Sequence, residues 1–197
     1  MFINRKLKEI NLKIVYYGPP LSGKTTNLEY IYQTIPPTRR GEMVSLKTRG
    51  DRTLFFDYLQ MELPPIQGFT PKFNLYTVPG QVAYTATRKL VLQGVDGVVF
   101  VVDSQPDRMQ NNIHSFVDLY KNLQAAGTPL QQLSLIIQFN KRDLENAAPL
   151  PHIRQALRLN GYNVPFFEAI ASEGTGVFDT LKASIDSVVR RIQSVNG

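Results

Sequence analysis

Apolar positions along this chain change their period several times, and each change marks an element. Leu12, Ile14, Val15, Tyr16 and Tyr17 form an apolar run of strand length, whereas Leu28, Ile31, Tyr32 and Ile35 recur at the spacing of one helix face. Pro36 and Pro37 close that helix, and the polar, basic stretch 38–50, with Arg39, Arg40, Lys47 and Arg49, reads as a long loop. Loops of that length inside a compact fold usually carry function. Within 53–63, Leu59, Met61 and Leu63 alternate with Gln60 and Glu62, the pattern of a half-buried strand. A second such run covers 72–78, and the Pro64 to Pro71 connection between the two predicts an antiparallel pair.

Beyond this point apolar strands and amphipathic helices alternate. The run Val98-Val99-Phe100-Val101-Val102 within 97–103 suits a central parallel strand covered on both faces, and 133–139 and 164–170 read as two more strands. Helices are expected around 88–92, over 107–126 and over 151–160. The last is expected over 176–195, with Val177, Leu181, Ile185, Val188, Val189 and Ile192 as its inner stripe. This order predicts an α/β fold: a mainly parallel six-stranded sheet with one antiparallel edge strand and helices on both faces.

Composition narrows the classes. At 197 residues the chain suits one domain, 1–197, with 1–10 as a short N-terminal extension, and can bury on the order of 70% of its unfolded surface. It has no cysteine, which excludes a disulfide framework, a thiolate metal site and a prenyl or palmitoyl anchor. The first eleven residues lack the apolar core of a signal peptide and no later run approaches a membrane span, so a cytoplasmic location is expected. The net charge of +6 suits an anionic ligand or simply a solvated surface. Without a basic stripe interleaved with aromatics, nucleic acid is not an expected partner.

Three constellations carry chemistry. Gly18-Pro19-Pro20-Leu21-Ser22-Gly23-Lys24-Thr25 fits the phosphate-binding pattern G-x-x-x-x-G-K-[ST], placed between a strand and a helix as that pattern requires. Backbone N–H groups and the positive helix end would meet the phosphates, Lys24 would reach their terminal oxygens, and the Thr25 hydroxyl would ligate Mg²⁺. Pro19 and Pro20 have no N–H to offer, so the cradle falls to the amides of Leu21, Ser22, Gly23, Lys24, Thr25 and Thr26. Thr77-Val78-Pro79-Gly80-Gln81 follows a strand at the place that faces a γ-phosphate. There the Gly80 amide can approach the phosphate and Gln81 can orient a water. Asn140-Lys141-Arg142-Asp143 follows the strand 133–139. The Asp143 carboxylate can accept N1–H and the N2 amine of guanine, whereas adenine presents an unprotonated N1. Lys141 can lay its stem along the base, and Asn140 can tie this loop to the phosphate loop. Each motif alone could be an ordinary turn; together, in chain order at strand ends, they read as a guanine-nucleotide site. His114 and His152 lie on expected helices without a ligand set around them.

These motifs resemble the small Ras-like GTPases over about 11–192. Tyr16-Tyr17-Gly18-Pro19, Lys24-Thr25-Thr26-Asn27-Leu28, Asp51-Arg52-Thr53-Leu54-Phe55-Phe56-Asp57, Thr77-Val78-Pro79-Gly80-Gln81 and the run 94–101 resemble more closely the MglA-type bacterial polarity and gliding-motility GTPases. The resemblance implies a P-loop G domain that binds GTP or GDP with Mg²⁺, hydrolyses GTP slowly without an activator, and acts as a switch. It implies Gln81, Arg52 and Lys24 as catalytic residues, with Arg52 an arginine finger in cis; otherwise Arg52 is a solvated charge at a strand start. It implies Thr53, with Thr48 as the rival, as the second protein ligand of Mg²⁺ beside Thr25. It also places Ala171 and Ser172 where a backbone N–H meets the guanine O6. The partner it implies is an MglB-like roadblock GTPase-activating protein. The chain departs from most Ras-like proteins at Thr77, where they carry an Asp that helps hold the Mg²⁺ hydration shell, and at Pro20, where Ras has Gly. Those departures keep open a nucleotide-bound interaction module with little hydrolysis, and the phosphate loop alone would also suit a P-loop ATPase or kinase.

Overall fold

The computed structural model describes residues 2–46, 56–65, 68–80, 84–159 and 163–195. Its centre is the all-buried pair β6 (Gly97–Asp103) and β7 (Ser134–Asn140), the apolar runs expected to be covered on both faces. They lie parallel, Val99 beside Ile136. On one side β2 (Glu9–Tyr17) pairs parallel with β6 and with β5 (Thr70–Thr77), and on the other β8 (Phe166–Glu168) pairs parallel with β7. Beyond β5, β4 (Phe56–Glu62) runs antiparallel to it, with Leu59 opposite Leu75, as the Pro64 to Pro71 connection predicted.

Two short strands enlarge the expected six-stranded sheet to eight. β1 (Phe2–Asn4), within the stretch expected as an extension, folds back antiparallel on β2. β3 (Val44–Leu46), within the expected loop, pairs antiparallel with β4. The antiparallel portion is therefore wider than one edge strand, because a three-residue strand needs only a neighbour's free backbone edge and leaves almost no periodicity to read. Elsewhere the differences are of boundary, as with β8, three residues long where seven were expected.

Alternation along the strands sorts the core into two layers. Val15, Tyr17, Val98, Phe100, Val102, Ile137 and Phe139 point to one face, under α2 (Thr85–Leu92), α3 (Met109–Ala125) and α4 (Leu150–Ala156). Leu12, Ile14, Tyr16, Val99, Val101 and Ile136 point to the other, under α1 (Lys24–Thr34) and α5 (Val177–Val195). Burying side chains of this size stabilises by about 1.5–3 kcal/mol each. That two-sided burial fixes the sheet, and with it the positions of the loops that leave the carboxyl ends of β2, β5, β6 and β7.

Candidate functional site

Those loops converge at one edge, the position where doubly wound α/β sheets bind ligands. The loop after β2 opens at Gly18 and enters α1 through Gly23, whose φ of 99° is left-handed. A Cβ there would lie 2.1 Å from Asn140 Nδ2, so Gly is required both by conformation and by contact. Lys24 begins the helix, and its ammonium donates to the carbonyls of Gly18 at 2.9 Å and Pro19 at 2.6 Å. Burial pushes Lys24 down to about 7 from 10.5; Asp57 opposes that shift and Arg88 adds to it. A phosphate group at this helix end would favour the charged form again. Ser22 is fully buried and its hydroxyl has no partner among the described residues.

The loop after β7 is bound to this cradle by Asn140. Its Nδ2 donates to Ser22 O at 2.8 Å, and its Oδ1 accepts the Ala171 N–H at 2.9 Å. One buried amide thus ties the phosphate loop to the loop after β8, and the Ala171 N–H expected to face a base is engaged in that tie. Lys141, at a φ of 63°, reaches back to Asp103 Oδ2 at 2.7 Å and Gln105 Oε1 at 3.2 Å. Asp143 is exposed.

Asp57 is the residue that sequence reasoning missed. Its Oδ2 accepts the hydroxyls of Thr25 at 2.6 Å and Thr77 at 2.8 Å, and its Oδ1 accepts Ser45 at 2.6 Å. The Asp57 N–H donates in turn to Thr77 Oγ1 at 2.8 Å. At Thr77, where the resemblance leads us to expect an acid, a buried carboxylate arrives from the neighbouring strand. A signal existed: Asp57 shares the inward phase of Leu59 and Met61 along β4, and a charge in a buried phase needs a reason. A carboxylate beside the Thr25 hydroxyl at the entrance of a phosphate cradle has the donor chemistry of a Mg²⁺ site, with hard oxygens and few protein ligands. The residues present therefore fit that ion.

Gly80 packs against the prolines of the phosphate loop. A Cβ on it would come within 2.3 Å of Pro20 N, so the loop after β5 and the loop after β2 touch backbone to backbone. The structure thus brings Lys24, Thr25, Thr77, Gly80 and Asn140 to one edge of the sheet. Arg52, Thr53, its rival Thr48, and Gln81 lie outside the described residues.

The family model of the ADP-ribosylation factor family, Arf, matches residues 1–188. Over 192 residues the chain is 53% identical to the mutual gliding-motility protein MglA of Myxococcus xanthus (strain DK1622), a match spanning 98% of this chain and 97% of that protein. No helix among the described residues is long and apolar enough to cross a membrane. With its phosphate loop, its sheet order and this full-length match, the chain belongs to the Arf family within the Ras-like P-loop GTPases, as a switch that binds and hydrolyses GTP.

Proposed function

We propose that this GTPase reads guanine through Asp143, holds the nucleotide phosphates on the amides 21–26 and Lys24, and hydrolyses GTP by in-line attack of a water oriented by Gln81. The observation that carries this reading is the junction of phosphate loop, Asn140 and the 171–172 loop, which sets base-side and phosphate-side groups in one frame. Asn140 acts as the strut, and Lys141 lies along the base plane. Mg²⁺, held by Thr25 and Thr53, would neutralise charge on the β- and γ-phosphate oxygens. Asp57, with Thr77 behind it, would supply at that site the carboxylate that Thr77 lacks. Arg52 supplies positive charge in cis at the transferring phosphoryl group. Output comes from about 39–53 and 79–89, which order around the γ-phosphate and relax after hydrolysis.

The likeness to MglA supports a role in bacterial cell polarity or gliding motility, in the cytoplasm, with a roadblock-fold activator of the MglB type binding these two segments. With Arg52 already present in cis, the activator acts by positioning residues.

Displacement of fluorescent GDP by unlabelled GTP, GDP and ATP, with Mg²⁺, tests the assignment on the parent and on Asp143→Ala. GTP and GDP displace and ATP does not, and the variant loses that preference by one to several orders of magnitude, the cost of leaving paired groups unsatisfied. Equal competition by ATP at the parent would overturn the base-reading role.

A further inference from the structure

Arg88, on α2, is 5% exposed, and burying a guanidinium is costly unless it is matched. Its match is Asp118 on α3: Arg88 Nε lies 2.8 Å from Asp118 Oδ2. The same oxygen accepts the Tyr17 hydroxyl at 2.5 Å and Asn122 Nδ2 at 3.0 Å. Asn122 Nδ2 also donates to the Tyr17 oxygen at 3.2 Å. Burial and the hydrogen bond to Asp118 raise the Tyr17 hydroxyl far above its ordinary range, so it stays a donor at every working pH.

The elements that meet at this oxygen are not arbitrary. Tyr17 is the last residue of β2 and directly precedes Gly18, where the phosphate loop opens. Arg88 donates from its other nitrogens to the chain ahead of α2 and to the first residue of that helix, Nη1 to Pro79 O at 3.3 Å and Nη2 to the Thr85 hydroxyl oxygen at 3.0 Å. Pro79 directly precedes Gly80, whose other side is closed by Pro19 and Pro20. The Pro79–Gly80 peptide therefore lies between the phosphate loop and a guanidinium that is also paired with Asp118.

We propose that Asp118 is a positioning residue for GTP hydrolysis: by pairing its charge with Arg88 and accepting the Tyr17 hydroxyl at one oxygen, it fixes the Pro79–Gly80 backbone against the entrance of the phosphate loop. It acts through Arg88, and none of its hydrogen-bond partners among the described residues is a phosphate-loop or base-loop residue. An ion pair that served stability alone would, when replaced, change folding and leave catalysis alone. The inference rests on the assignment of Gln81, two residues after Pro79, as the residue that orients water.

The test is single-turnover GTP hydrolysis and fluorescent-GDP dissociation on the parent, Asp118→Asn, Asp118→Glu, Tyr17→Phe, Gln81→Ala and the double variant Asp118→Asn/Gln81→Ala. Asp118→Asn is expected to slow hydrolysis on the order of tenfold, the loss of a charge-assisted contact, while GDP dissociation stays within about twofold of the parent. Tyr17→Phe, which keeps the charge pair, guards against misfolding and should lose a smaller part of the rate. Asp118→Glu should regain part of what Asn loses. The double variant should be no slower than Gln81→Ala. Parental hydrolysis in Asp118→Asn and Tyr17→Phe, a fully additive loss in the double variant, or an equal change in GDP dissociation would overturn the proposal. If Gln81→Ala hydrolyses as fast as the parent, the assignment of Gln81 fails by itself; Asp118 is then judged on the split between hydrolysis and GDP release in the single variants.

Discussion

Asp57 and Thr77 face each other across two antiparallel strands and exchange two hydrogen bonds, backbone N–H to hydroxyl and hydroxyl to carboxylate, each at 2.8 Å. The threonine that looks like a lost acid is thus half of a pair that still delivers a carboxylate to Thr25. Asp57→Asn keeps the shape and removes the charge. Its apparent Mg²⁺ affinity should fall on the order of 10- to 100-fold, as for other groups that orient a metal's ligands. The readout is GDP release with Mg²⁺ titrated against a chelator: the parent slows as Mg²⁺ rises, and the variant responds only at higher concentration. Identical titrations would remove Asp57 from the metal site.

Lys24 makes the nucleotide-free protein sensitive to pH. Its folded value near 7 lies below its ordinary 10.5, so between those limits the unfolded chain binds more protons than the folded one. Stability should therefore rise with pH across that window; the penalty is complete below about 7 and absent above 10.5. Denaturant unfolding of nucleotide-free protein at several pH values checks this, and Lys24→Met should flatten the slope. Because phosphates favour the ammonium, GDP binding at alkaline pH should take up a proton. Calorimetry in two buffers of different ionisation enthalpy measures that uptake.

Asn140→Ala removes a strut whose two partners, Ser22 O and the Ala171 N–H, stay buried. Leaving them unpaired costs about 1–3 kcal/mol each, so the melting temperature of nucleotide-free protein should drop by at least roughly 4 °C and by up to about 20 °C. GDP release should accelerate as well, since the phosphate and base loops lose their common anchor. A variant that melts with the parent would show that water replaces the amide without cost.

Arg52 is tested with activator present. If it supplies charge in cis, Arg52→Ala should hydrolyse GTP slower by about 10³-fold or more under saturating activator, the range known for arginine fingers. Phosphate release at the parental rate would instead make Arg52 a surface charge.

Much of this was legible in the chain itself. The phosphate loop, Gly80 and the Asn140 tetrad each follow a strand whose apolar run identifies it, so local pattern and motif place them at strand ends without any knowledge of pairing. The strands β6 and β7 could hardly be anything else, because an unbroken apolar run needs cover on both faces. What the pattern left out were interactions between partners distant in sequence. Asp57 meets Thr77 only because β4 pairs with β5 in one register; a slip of one residue would turn Asp57 outward and Phe56 inward. Tyr17 and Asp118 are 101 residues apart, and the Tyr17 hydroxyl reaches the Asp118 carboxylate only because α3 packs on the face of the sheet where β2 ends. Short-range periodicity reports which side of an element is buried, and so determined the longer elements, the layers and the motifs' positions, but not the three-residue strands β1 and β3. Which residue stands opposite which depends on strand register and helix docking, set by packing summed over the whole core, and that only the tertiary structure decided.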